Sequence, residues 1–133
     1  MAEKRYIFPE GLMKPPTYTP VIAAQGGRTL YVSGQVPVNE KGELVGKGDL
    51  AAQAEQAFSN VDKALKGAGA SFADVVKITT FVVGYKPEHR AIMHQVRSKY
   101  VVKDRMPTST LLGVQALAVP DYLIEVEAIA VID

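Results

Sequence analysis

Several side chains in this 133-residue chain have types and spacings that can do chemistry. From Ile124 to Ile132 the residues alternate as a strand requires, with Ile124, Val126, Ala128 and Ala130 on one face and Glu125, Glu127, Ile129 and Val131 on the other. A carboxylate that shares a face with aliphatic side chains either rests on a solvated strand or enters a pocket, where it can orient or deprotonate a water. Arg90, His94 and Arg97 are spaced i, i+4 and i+7. On a helix they project from one side, either as a solvated face or as a joint receptor for an anion. Ser109 is either a small strand residue or a nucleophile, and together with His94 and Glu125 it has the residue types of a hydrolytic triad. Gly34, inside a strand pattern, marks a bulge or a close approach of backbone to ligand, and Tyr18 caps a sheet edge or lines a pocket.

Composition narrows these options. The chain has no Cys, which excludes disulfides, thiolate metal ligands and cysteine nucleophiles, and its two His do not suffice for a dedicated zinc site, so no metal is expected. A formal charge of +1 gives no global field that would draw a polyanion. The basic run of Lys86, Arg90, Arg97, Lys99, Lys103 and Arg105 is the only support for a nucleic-acid role, and the aromatic residues, Tyr100 within the run included, are better explained by core strands and helices than as base-stacking platforms. Nucleic acid is therefore not the expected partner. No apolar run reaches membrane-spanning length, and Met1–Arg5 lacks the apolar core of a secretory signal, so a cytoplasmic protein without a membrane partner is expected.

The elements that must position these residues follow from periodicity. A single domain of residues 1–133 is long enough to bury roughly two-thirds of its unfolded surface. Pro9, Pro15 and Pro16 oppose helix and make residues 1–14 an extended lead-in. Apolar runs at 20–24 and 29–35 flank Gln25-Gly26-Gly27-Arg28, whose glycines suit a tight hairpin. Asp49 is placed to cap a helix from Leu50 to about Gly67, with Leu50, Ala54, Ala57, Phe58, Val61, Ala64 and Leu65 on one stripe. Residues 75–83 read as a strand, and a second helix is predicted from near Pro87 to about Val102 with Ile92, Met93, Val96 and Tyr100 inward. A strand from about Thr108 to Ala116, a turn at Pro120-Asp121 and the final strand complete a ββαβαββ order. Both helices then cover one sheet face. Leu111, Val32 and Ile129 are expected on the other face, where self-association would hide them.

Tyr18-Thr19-Pro20, Ser33-Gly34-Gln35-Val36-Pro37, Gln53 to Asn60, Asp74-Val75-Val76-Lys77 and Ile124 to Ala130, in this order and spacing, resemble the RidA/YjgF family of reactive-intermediate deaminases over roughly residues 15–132. The resemblance implies an α+β, chorismate-mutase-like fold with a six-stranded mixed sheet and two helices on one face. It also implies a homotrimer whose sheets form a central barrel, with ligand pockets between subunits. The implied activity is cofactor-independent hydrolysis of imines and enamines to a carbonyl compound and ammonia. Ribonuclease and translation-inhibitor roles are described for other members.

Carried over by position, Tyr18, Ser33 and Gly34 would bind ligand and Glu125 would hold the attacking water; His94 stands where the resemblance implies a pocket Asn on the second helix, and His94 and Thr108 are further candidate ligand-binding residues. The family's deaminase arginine belongs two residues after a proline, and here Pro107-Thr108-Ser109 puts Ser109 there. A serine offers one neutral donor where a guanidinium grips a carboxylate through two parallel charged ones. Arg90 or Arg97 is a possible replacement anion clamp, with Ser109 contributing a single hydrogen bond beside Glu125. A small carboxylate or carbonyl metabolite is the expected ligand, either as the substrate of hydrolysis or as the ligand of a noncatalytic binding protein.

Overall fold

The alternating runs and apolar stripes fold into six strands and two helices in a computed structural model that describes residues 1–133. The strands are β1 (Glu3–Ile7), β2 (Val21–Gln25), β3 (Arg28–Gln35), β4 (Val75–Val83), β5 (Thr108–Val114) and β6 (Ile124–Ile132), with α1 (Leu50–Gly67) before β4 and α2 (His89–Arg97) after it. They divide into two sheets rather than one: β1–β2, and a four-stranded sheet in the order β3-β6-β4-β5. β6 runs antiparallel to both its neighbours, while β4 and β5 are parallel and joined through α2.

The pleat separates the two faces of the larger sheet. Ile124, Val126, Ala128 and Ala130 of β6 join Ile78 and Val82 of β4 in one core with Ala54, Phe58, Val61 and Leu65 of α1 and Met93 and Val96 of α2. Both helices thus cover the same face, as their stripes predict. Asp49 caps α1, its side chain accepting from the Ala52 amide at 3.1 Å. Polar residues of α1 hold the flanking loops. Gln53, wholly buried, donates through Nε2 to the carbonyls of Gly46 (3.1 Å) and Asp121 (3.0 Å) and accepts from the Leu123 amide at 2.8 Å. Asn60 donates to the carbonyls of Val36 and Val38 at 3.0 and 2.9 Å.

Four expectations change. The N-terminal lead-in contains a strand, β1, antiparallel to β2 with Glu3 opposite Gln25 and Ile7 opposite Val21; three charged residues in a row, Glu3-Lys4-Arg5, ahead of Tyr6 and Ile7 give it no two-residue alternation, which hid it beside the prolines that follow. The turn at Gly26-Gly27 has the positive φ its glycines allow, 72° and 70°, but β2 and β3 enter different sheets because each has another partner. Helix α2 stops at Arg97, where Tyr100 and Val101 amides both turn back to the Arg97 carbonyl in a tightened last turn ahead of the β-branched pair Val101-Val102. Finally, of the three residues assigned to the open face only Ile129 lies there. Val32 packs against the core from opposite Ala128, and Leu111, level with buried Thr80, faces the helices.

Gln53→Ala removes three hydrogen bonds at once and leaves their backbone partners without a mate, so unfolding by urea at fixed protein concentration should show a loss of about 2–4 kcal/mol. A loss below about 1 kcal/mol would mean that the loops on either side of α1 are held by something else.

Candidate functional site

The segment between the lead-in and β2 places Tyr18. Its neighbour Thr19, 2 % exposed, bonds through its amide to the Pro107 carbonyl at 3.0 Å and through its hydroxyl to the Met106 carbonyl, which pins this segment beside the start of β5. Ile78 is opposite Ser109 and Thr80 opposite Leu111 in the parallel β4–β5 pair, so Ser109 and Leu111 point to the helix side. There, between α2 and edge strand β5, lies a cavity of about 250 Å³. Tyr18, Arg90, His94, Arg97 and Ser109 supply its polar lining, over a floor of Phe58, Met93 and Leu111. No carboxylate lines it.

Arg97 is the unusual member of this set. Its Nε and Nη2 are buried and have no hydrogen-bond partner, and burial holds its guanidinium below the usual arginine value. Arg90 and His94 are exposed at the rim. The neighbouring cation of the basic run is already engaged: Lys99 Nζ lies 3.1 Å from Glu55 Oε2, and the Tyr100 hydroxyl donates to Glu55 Oε1 at 2.8 Å. That hydrogen bond, ahead of the lysine charge, holds the Glu55 carboxyl below its ordinary value, while burial and then Glu55 push the Tyr100 phenol up to about 12. The predicted basic run is thus not one surface, since Arg97 turns inward and Lys99 is paired.

Glu125 lies elsewhere. Its partner Phe81 and its alternation with buried Ile124 and Val126 put it on the open face of the sheet. In the β3–β6 pair Val32 is opposite Ala128 and Gln35 opposite Val126, so β3 has two residues, Ser33 and Gly34, where β6 has only Glu127. This bulge brings Ser33 and Gly34 to the open face together. A Cβ on residue 34 would collide with the Glu125 side chain, 2.6 Å from Cδ and 2.9 Å from Cγ. Gly34 is therefore the seat of Glu125. Ser33 and Glu127 line a second hollow on this face, of about 240 Å³, with Tyr31, Lys77 and Thr79.

The predicted residues thus fall into two groups. Tyr18, Arg90, His94, Arg97 and Ser109 meet in the helix-side cavity; Ser33, Gly34 and Glu125 meet on the opposite sheet face. Thr108 also belongs to the open-face side of β5, and its hydroxyl donates to the Val76 carbonyl at 2.6 Å. Within one chain Ser109, His94 and Glu125 do not assemble as a triad. Sequence reasoning left out the apolar floor of Phe58, Met93 and Leu111, although the first two stood on predicted inward stripes. A larger hollow of about 350 Å³ beside β1 contains none of the predicted residues, and its charges offset one another, with Lys4 Nζ 3.8 Å from Asp74 Oδ1.

Fold and site both bear on the chain's relatives. The family model described as endoribonuclease L-PSP matches residues 14–132, and the chain belongs to the RidA/YjgF family. The 3-aminoacrylate deaminase RutC of Acinetobacter baylyi is 34% identical over 128 residues, covering 96% of this chain and 97% of its own. The human 2-iminobutanoate/2-iminopropanoate deaminase is 33% identical over 105 residues, covering 78% of this chain and 73% of its own. The crystal structure of YyfB from Yersinia pestis, a Rid-family protein of unknown function, superposes with a TM-score of 0.88 at 38% identity and covers 97% of this chain and 98% of its own. These likenesses establish the α+β, chorismate-mutase-like fold. No helix is long and apolar enough to cross a membrane.

Because only the flexible end of Glu125 opposes a Cβ at residue 34, Gly34→Ala should keep the fold within about 1 kcal/mol while a crystal structure of the variant shows Glu125 rotated off β3. An unmoved Glu125 would mean that the bulge does not set its position.

Proposed function

We propose that this protein hydrolyses small carboxylate-bearing imines and enamines to the carbonyl compound and ammonia, without a cofactor, in clefts between the subunits of a cytoplasmic homotrimer. The carrying observation is the Glu125 carboxylate, held against Gly34 on a sheet face that no helix covers. A carboxylate so fixed suits a general base for water, and the uncovered face suits contact with another copy of the chain. The names of two relatives, a 3-aminoacrylate deaminase and a 2-iminobutanoate/2-iminopropanoate deaminase, support the same reaction class.

An enamine first gains a proton on carbon and loses one from nitrogen, becoming the imine. Water then adds to the C=N carbon as Glu125 takes one of its protons, and the nitrogen is protonated to an amine. The carbinolamine then collapses: its hydroxyl proton passes to the nitrogen, C=O forms, the C–N bond breaks and ammonia departs. The helix-side cavity, which has cations and no carboxylate, would hold the substrate's carboxylate and so fix the C=N carbon before the base. Since Glu125 and that cavity lie on opposite sides of the sheet, this arrangement requires the carboxylate from one copy and the cations from its neighbour.

The same separation favours a second reading, a noncatalytic protein that binds a small carboxylate. A cation-lined cavity with no carboxylate of its own suffices for that role, and ligand binding would appear as protection against thermal unfolding without turnover.

Ammonia release from 2-aminoacrylate generated in situ distinguishes the two. Hydrolysis predicts turnover by the natural protein and a fall of roughly 100-fold or more in Glu125→Gln, which keeps the shape and removes the base. Equal rates in the two proteins would remove Glu125 from the chemistry, and no turnover above the uncatalysed rate on any small imine would leave the binding reading.

A further inference from the structure

The helix-side cavity contains an arginine whose bonding is unfinished. Nε–H and the outward Nη2–H of a guanidinium lie parallel along one edge, and that edge accepts the two oxygens of a carboxylate side-on. In Arg97 these two nitrogens, and not Nη1, are the buried atoms without partners. No acidic side chain of the same chain reaches them, because the cavity lining contains neither Asp nor Glu and Arg97 takes part in no ion pair within the chain. A donor edge with no mate, taken out of water above Phe58, Met93 and Leu111, costs stability unless something fills it.

We propose that Arg97 is the carboxylate clamp of this protein and that its Nε/Nη2 edge binds a small monocarboxylate side-on in the cavity between α2 and β5. The role of the clamp in catalysis rests on the reading above; its role in binding does not. The apolar floor lowers the local dielectric and strengthens the pair. The Ser109 hydroxyl faces the same cavity and can add one donor, while Arg90 and His94 at the rim add positive potential. A serine at 109 also leaves open the volume that a longer side chain would take from the ligand. The strand site that cannot grip a carboxylate and the helix arginine that can thus face one space. Uncharged analogues of the same shape lack the second oxygen the edge requires and should bind poorly.

The test is calorimetric titration with 2-oxobutanoate, an unreactive carboxylate, and with its neutral amide, using the natural protein and Arg97→Met, Arg97→Lys and Arg90→Met. The natural protein should bind the acid and not the amide. Arg97→Met, which keeps the apolar stem, should weaken the acid by roughly tenfold or more, Arg97→Lys should recover part of the loss, and Arg90→Met should cost less than Arg97→Met. Without ligand, Arg97→Met should melt at or above the natural protein's temperature, since it removes a buried charge that has no partner.

Acid binding within twofold of natural in Arg97→Met would overturn the proposal, as would a natural protein that binds neither compound. A lower melting temperature together with weaker binding would also overturn it, by making Arg97 a packing residue. The outcomes separate from those for hydrolysis. Turnover with an unchanged KM in Arg97→Met removes the clamp and leaves the reaction, whereas acid binding through Arg97 without turnover removes the reaction and leaves the clamp.

Discussion

The two-residue repeat of a strand sets where every candidate group lies. β6, flanked on both sides within its sheet, gives Ile124, Val126, Ala128 and Ala130 to the core, and Glu125 must therefore face away from the helices. β5, at the sheet's edge and parallel to β4, turns Ser109 and Leu111 the other way, toward α2. A one-residue slip in either strand would bury a carboxylate in the core or strip the cavity of its wall. The same register that closes the core keeps Glu125 and the cations of one chain apart, so a site using both needs a second copy.

Around that sheet a few polar side chains fix the loops that carry the site. Gln53 ties the segment before α1 to the turn before β6, and Asn60 holds the chain leaving β3, downstream of the Gly34 bulge. Thr19 does the same for the segment between the lead-in and β2 and so brings Tyr18 to the edge of β5. In each case a buried or half-buried side chain bonds to main-chain groups outside the named strands, which removes unpaired polar atoms while choosing one loop conformation. Arg97 is the exception, with two buried nitrogens left open.

What the sequence made legible were the features with a strong local period. α1 from Leu50 to Gly67, its Asp49 cap, β4 and β6 appear where the apolar spacing put them. Glu125 opposite the aliphatic stripe is likewise a direct reading of the pleat, and the i, i+4, i+7 spacing of Arg90, His94 and Arg97 did bring them to one cavity. Features that depend on pairing were not legible. Nothing local says that the Gly26-Gly27 turn joins two sheets, since β3 chooses β6 from about a hundred residues away. The face of Leu111 and Val32 depended on the register of β5 against β4 and on the bulge in β3. Choosing between Arg90 and Arg97 required knowing that α2 ends at Arg97 and turns that side chain under the cavity instead of along the surface.

The claim that one copy supplies Glu125 and its neighbour supplies Arg97 is tested most directly by mixing two disabled proteins. Glu125→Gln and Arg97→Met chains, assayed well below the natural KM so that each alone turns over at about a tenth of the natural rate or less, are unfolded together in equal amounts and refolded. If each cleft takes its base from one subunit and its clamp from the next, a quarter of the clefts in randomly mixed oligomers contain both native residues, and about a quarter of the natural rate should return. Mixed oligomers that form and remain no more active than their parents would contradict the account, because the two residues would then not meet across a subunit boundary.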